Sequence, residues 1–281
     1  MLVYLNGDYI PQERAMVPVT DRGFLFADGV YEVVRIYGGR LFLMEEHMER
    51  LRNGLAALRI RYGDVDRIAD IAARLIGENG VEGKDGALYI QATRGAPPKR
   101  AHAFPQGEIA PTIYISAYAH PRPGPDTFGN GVECVTVSDT RWSRCDIKSV
   151  SLLANVLANQ FAHERGAFEA LFVRDGVVLE GSHSNLFAVY DGALLTYPAS
   201  NYTLPGITRS LVLEVAAELG IPVRLGPILE DRLMAADELF LSGTTTEVMP
   251  VVRVDGEDVG DGRPGAVSRR LQQAYEERAG I

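Results

Sequence analysis

The chain has 281 residues, of which 46% are hydrophobic and 23% charged, enough for one large or two medium domains with a proper core. A net charge of −9 leaves no basic face to neutralise phosphates, which argues against a nucleic-acid or anionic-membrane surface. Cys134 and Cys145 provide neither a disulfide framework nor a metal cluster, and no apolar run approaches membrane-spanning length, so a reducing cytoplasm is expected and no metal is assigned.

The N-terminus reads as strand and turn rather than signal peptide, with strands expected at residues 3–5, 31–37 and 40–43. Residues 44–58 carry Met44, Met48, Leu51, Leu55 and Leu58 on one helical stripe. A second helix is expected over 65–78, stopped by Asn79-Gly80, and strands at 87–93 and 112–118 complete a first sheet. The run His120-Pro121-Arg122-Pro123-Gly124-Pro125 is stiff and continues neither element. It divides a smaller N-terminal α/β domain, 1–119, from a larger one, 126–281, with the linker at 120–125.

The second half opens with a strand at 131–138 and a helix over 152–165. Strand pairs follow at 170–173 with 177–179, and at 186–190 with 194–197, joined by Asp175-Gly176 and Asp191-Gly192. A helix over 207–219, strands at 238–242 and 248–254, and a terminal helix over 267–278 complete the chain. Many antiparallel connections with interspersed helices predict an α+β, or mixed α/β, fold rather than a doubly wound parallel sheet.

Of 28 basic residues only three are lysine, and Lys84 and Lys99 lie in Gly- or Pro-flanked loops. Lys148 instead closes Thr140-Arg141-Trp142-Ser143-Arg144-Cys145-Asp146-Ile147-Lys148. Arginine stays protonated, whereas a desolvated lysine can shed its proton and form a Schiff base with an aldehyde. The alternative is an ordinary surface lysine.

Four features suit a phosphate-bearing cofactor. Leu204-Pro205-Gly206-Ile207-Thr208-Arg209 feeds a turn into a helix, whose first N–H groups lack partners and favour an anion, although Pro-Gly helix starts are common. Ser242-Gly243-Thr244-Thr245-Thr246 is rich in hydroxyls, and Thr runs also serve as caps and loops. Arg50 offers a guanidinium, or else, with Arg52 and Arg59 nearby, part of a solvated helix face. Glu180, at the end of an apolar strand before Gly181-Ser182-His183-Ser184-Asn185, could hold a heterocyclic ring nitrogen protonated; its other reading is an exposed acid opening a turn. His183 has no second His or Cys nearby to make a metal site.

Together with Asp21-Arg22-Gly23, Tyr31-Glu32-Val33-Val34, Glu46-His47-Met48-Glu49-Arg50-Leu51, Arg100-Ala101-His102 and Asp146-Ile147-Lys148-Ser149, these segments occur in one order. That order resembles the class IV (fold-type IV) pyridoxal-phosphate-dependent aminotransferases over essentially the whole chain, nearest to the bacterial D-amino-acid (D-alanine) branch. The resemblance implies a two-domain fold with pyridoxal 5′-phosphate between the domains and the larger C-terminal domain binding it. It implies ping-pong transamination between a D-amino acid and a 2-oxo acid such as 2-oxoglutarate, through an internal aldimine on Lys148.

By the same resemblance, Glu180 pairs with the pyridine nitrogen, and Arg50, Ile207, Thr208 and Thr244 surround the phosphate. Leu204 lies beneath the ring. Tyr31, Arg100 and His102 trap the substrate α-carboxylate, the last two reaching across from the second subunit of a homodimer. Alternate residues of an extended segment point the same way, so Arg100 and His102 can both face one carboxylate; a solvated basic tip is the other role open to that loop. His183 stands where D-specific relatives carry a small hydroxyl residue, Pro205 where they carry lysine, and Arg35 resembles an arginine of the branched-chain branch. The alternatives on this fold are a branched-chain L-aminotransferase, an (R)-amine transaminase and aminodeoxychorismate lyase.

Overall fold

The computed structural model describes residues 1–281. The chain divides into two compact units, Met1–Arg122 with Ile147–Ser151, and Pro123–Asp146 with Leu152–Ile281. No helix is long and apolar enough to cross a membrane.

In the first unit, strands β1 (Leu2–Leu5), β2 (Asp8–Pro11), β3 (Gly29–Tyr37), β4 (Arg40–Leu41), β5 (Gly86–Thr93) and β6 (Thr112–Ala119) form one sheet in the order β2-β1-β6-β5-β3-β4. Every pairing in it is antiparallel. Helices α1 (Arg22–Phe26), α2 (Met44–Leu58) and α3 (Ile68–Glu78) accompany the sheet. Alternation places Val30, Val34 and Ile36 of β3 on one face, where they join Leu51 and Leu55 of α2 and Leu75 of α3 in a buried core. The helix expected over 65–78 begins as a 3₁₀ turn, Val65–Arg67, before α3, a common tightening at helix starts.

Residues Ile147–Ser151, read from the sequence as part of the second domain, are built into the first unit. Tyr31 N donates to Lys148 O at 3.0 Å and Val150 N to Gly29 O at 3.1 Å, flanking an antiparallel bridge between Val30 and Ser149. Ile147 is buried in the same core as Val30. Backbone pairing to β3 and apolar burial thus override position along the chain.

The second unit begins with α4 (Pro125–Asn130), whose first residue ends the expected linker, because proline suits the first turn of a helix. Its strands are β7 (Val132–Ser138), β8 (Glu169–Arg174), β9 (Val177–Gly181), β10 (Asn185–Tyr190), β11 (Ala193–Thr196), β12 (Val223–Leu225), β13 (Ile228–Leu229), β14 (Glu238–Gly243), β15 (Glu247–Val254) and β16 (Glu257–Asp258). They run in the order β12-β11-β10-β14-β15-β7-β8-β9-β13, with β16 on β15. A further pairing of Glu180 with Asn185 joins β9 to β10 and closes the path between them into a ring. β7 is parallel to both β15 and β8, and β11 to β12; the other pairs are antiparallel, in keeping with the mixed α+β class. Helices α5 (Leu153–His163), α6 (Ile207–Glu218) and α7 (Ala266–Ala279) complete the unit.

Asp175-Gly176 and Asp191-Gly192 turn the β8–β9 and β10–β11 hairpins with φ of +51°, +73°, +50° and +74°. Two successive positive φ values are what a twist-matched two-residue turn requires, and Asp-Gly tolerates them. The short elements α1, α4, β2, β12, β13 and β16 give too few residues for a periodic signal.

Candidate active site

In the first unit Lys148 is half-buried, and its Nζ lies 4.2 Å from the centroid of the Tyr31 ring. Tyr31 in turn stacks on Tyr89 of β5, with centroids 5.9 Å apart and planes at 29°. The β3 pairing that holds Lys148 O therefore also fixes which side chain its amine meets.

One residue further along β3, on the core face, Glu32 is fully buried. Its carboxylate accepts from Arg50 Nε at 2.7 Å and Nη2 at 2.8 Å, and from His47 Nδ1 at 2.7 Å. Burial pushes this acid up, but the charge and hydrogen bonds of Arg50 and the bond from His47 prevail and bring it down to about 2. Burial, aided by the charges of Arg50 and Lys148, lowers the His47 pKa against the pull of Glu32. Arg50 is thus clamped bidentately at a stable charge pair on α2.

Arg100 and His102, both exposed, share one support: the Arg100 Cζ lies 4.6 Å from the Phe26 centroid, and the His102 ring lies 5.4 Å from it. The structure therefore brings these two side chains to one ring, and separately brings Tyr31 to Lys148.

In the second unit, the register pairs Glu180 with Asn185 and Asn185 with Ser242, so three polar side chains cross β9, β10 and β14 on one face. Glu180 is buried and accepts from Arg141 Nη1 at 2.5 Å, Asn185 Nδ2 at 2.9 Å and the Leu204 backbone N at 3.0 Å. Burial pushes its carboxyl up to about 7, although Arg141 and the Leu204 N–H pull it down. Arg141 is fixed from behind by Asp139, at 2.9 Å through Nε. The Ser242 hydroxyl is buried and has no hydrogen-bond partner.

Asn185 Nδ2 also donates to Leu204 O at 2.9 Å, tying the Glu180 strand end to the turn before α6. Gly206, the N-cap of α6, approaches so closely that a Cβ there would stand 1.9 Å from Asn185 Oδ1. No side chain caps α6, so the N–H groups of its first turn, including those of Ile207 and Thr208, keep their anion-binding capacity. Thr244 lies in the turn between β14 and β15, and a Cβ on the neighbouring Gly243 would meet Ser184 Cβ at 3.6 Å, so this turn adjoins the one after Glu180. Gln272 of α7 holds its far side, donating to Glu247 Oε2 at 2.9 Å and accepting from Val248 N at 3.0 Å. His183 is exposed, and the buried Glu169 braces its turn, accepting from His183 N at 2.6 Å and Ser184 Oγ at 2.9 Å.

Sequence reasoning gave no role to Glu32, His47, Arg141, Asn185 or Ser242. For Glu32, His47, Asn185 and Ser242 a signal is present in the sequence, since each lies within a segment that carries the family likeness or the cofactor features. Arg141 was readable only as one of two arginines near Lys148, its partner Glu180 being 39 positions away.

The chain matches the family model for amino-transferase class IV over residues 29–254. It is 42% identical to a D-alanine aminotransferase of Staphylococcus haemolyticus over 97% of this chain and 96% of the relative. Among solved structures, a branched-chain amino acid aminotransferase of Escherichia coli superposes with a TM-score of 0.90 at 28% identity, covering 98% of this chain and 93% of that one. A branched-chain aminotransferase of Thermoproteus uzoniensis, with norvaline, does so at 0.86 and 27%, covering 100% and 95%. The lysine on its tyrosine, the strand-end acid and the uncapped helix start thus belong to a member of the class IV aminotransferases.

Proposed function

We propose that this enzyme uses pyridoxal 5′-phosphate to move the amino group of a D-amino acid, of the D-alanine type, to a 2-oxo acid such as 2-oxoglutarate in a ping-pong cycle. The observation that carries the reading is the 42% identity to D-alanine aminotransferases across nearly the full chain. The residues present fit the cofactor: the unpartnered Ser242 hydroxyl beside Asn185, which in turn pairs with Glu180, suits a polar ligand, and the uncapped start of α6 suits its phosphate.

In this reading Arg50, Ile207, Thr208 and Thr244 hold the phosphate, Glu180 serves the ring nitrogen, and Leu204 gives the ring an apolar contact. Arg141 and Asn185 keep the Glu180 carboxylate in place, and a positive charge at the ring nitrogen favours its ionised form. Tyr31, Arg100 and His102 bind the substrate carboxylate, which orients the Cα–H bond. Lys148 Nζ takes the Cα proton in one half-reaction and returns one in the other. When bound, the cofactor supplies the electron sink for that proton transfer and carries the amino group between half-reactions.

The working enzyme is proposed to be a cytoplasmic homodimer in which Arg100 and His102 serve the partner's site. Two free, buried cysteines suit a reducing compartment, and α5 presents Leu153, Val156, Leu157 and Phe161 exposed on one helical stripe. A monomeric mass by light scattering would count against the dimer.

The decisive experiment mixes the holoenzyme with D-alanine and 2-oxoglutarate and follows pyruvate, then repeats the assay with L-leucine. Pyruvate from D-alanine, with little turnover of L-leucine, is expected. The reverse preference would replace the reading by the branched-chain one, to which the solved structures are similar.

A further inference from the structure

Arg22 is a buried cation on α1, its side chain 5% exposed. Its Nη1 donates to Ala101 O at 2.5 Å and Ala103 O at 3.3 Å, and its Nη2 to His102 O at 3.2 Å. One guanidinium therefore holds three consecutive carbonyls of the segment that carries Arg100 and His102. Its Cζ also lies 4.8 Å from the centroid of Phe26, the ring that supports both of those side chains.

Arg22 is itself anchored. Its Nε donates to Asp28 Oδ2 at 2.7 Å, and Arg94 binds the same carboxylate through Nε at 2.7 Å and Nη2 at 2.8 Å. Arg94 reaches on to Leu58 O at 2.7 Å and Arg59 O at 3.0 Å, at the end of α2. At the head of α1, Asp21 Oδ1 accepts from Gly23 N at 2.8 Å, and its Oδ2 accepts from Thr93 at 2.9 Å and Thr112 at 2.6 Å. A Cβ on Gly23 would stand 2.3 Å from Thr93 Cγ2, so α1 sits directly on β5.

Residues 96–111 form no helix or strand, so no ladder orders them. Fixing a free backbone costs conformational entropy at every residue, and a substrate that had to order this loop would bind correspondingly more weakly. We propose that Arg22 is a positioning residue for substrate-carboxylate binding, holding carbonyls 101–103 so that Arg100 and His102 are presented ready-made to the carboxylates of both the amino-acid and the 2-oxo-acid substrate. This rests on the reading of Arg100 and His102 as the carboxylate clamp. Lysine cannot stand in for Arg22, since one ammonium cannot span three carbonyls and Asp28 together.

The test is Arg22→Lys in the holoenzyme. KM for D-alanine and for 2-oxoglutarate should rise about tenfold or more, with kcat within about threefold of wild type. The visible absorbance of the holoenzyme and its rate of reaction with hydroxylamine, which has no carboxylate, should be unchanged. Tryptic cleavage after Lys99 and Arg100 should accelerate. Unchanged KM values would overturn the proposal, and so would a parallel loss of KM, kcat and cofactor retention, which marks a merely structural role. Phe26→Leu, which leaves the Arg22 hydrogen bonds in place, should raise KM less; a larger rise than that of Arg22→Lys would also refute it. Should the wild type fail to act on D-alanine, the clamp reading falls by itself, and the tryptic comparison still decides whether Arg22 holds the loop.

Discussion

Replacing Glu32 by glutamine isolates the buried charge pair that orients Arg50. Glutamine resembles the protonated acid, so its effect follows from the cost of protonating Glu32 in the folded protein. Folding lowers that carboxyl from 4.5 to about 2, which corresponds to about 3 kcal/mol. The side chain is wholly buried and that of Arg50 is only 12% exposed, so solvent screening removes little of this. Because the folded value is depressed, the contribution is present in full above pH 4.5 and is lost as pH falls toward 2. Glu32→Gln should therefore be about 3 kcal/mol less stable than wild type at pH 7, and the gap should narrow only slightly by pH 4, to between about 2 and 3 kcal/mol, and to about 1 kcal/mol at pH 3. Urea unfolding of both proteins across that range measures the gap. A gap that stays constant from pH 7 to 3, or one below about 1 kcal/mol at pH 7, would refute the reasoning.

Lys148→Ala should abolish the visible absorbance band of the holoenzyme and all turnover, whereas a band identical to wild type would remove Lys148 from its proposed role. Gly206→Ala forces a methyl group to within 1.9 Å of Asn185 Oδ1 and should cost about 1–3 kcal/mol of stability while weakening cofactor retention. Equilibrium dialysis with pyridoxal 5′-phosphate and a melting curve check both, and an unaltered protein would contradict the close approach. In the cofactor-free protein Glu180 sits near 7, above its ordinary 4.5, so the folded state binds its proton more tightly than the unfolded chain does. Wild-type stability should therefore fall relative to Glu180→Gln as pH rises from 4.5 to 7 and level off above; a parallel pH course for the two apoproteins would exclude this.

The long elements were legible because each satisfies its own period. The stripe from Met48 to Leu55 specifies α2, and β3 and β5 alternate or run apolar over eight residues or more. Asp-Gly at 175–176 and 191–192 specifies two hairpins by local backbone preference alone. The candidate lysine was legible too, as an amine in a chain that otherwise uses arginine, and its neighbouring segments carried the family likeness.

Tertiary structure decided the partners. Arg141 meets Glu180 across 39 positions, Arg50 meets Glu32 across 18, and Arg22 meets the carbonyls of 101–103 across about eighty. Nothing in a local window signals such contacts, because their geometry arises only when strands from distant segments come into register. The same holds for Lys148, whose backbone is paired to β3 in the first unit although the chain around it belongs to the second. The sequence by itself determined which chemistry-bearing side chains exist and which helices and strands carry them, since residue type and periodicity are local properties. Only the fold decided which acid faces which base and how firmly each is held, because burial and charge pairing depend on what the rest of the chain brings alongside.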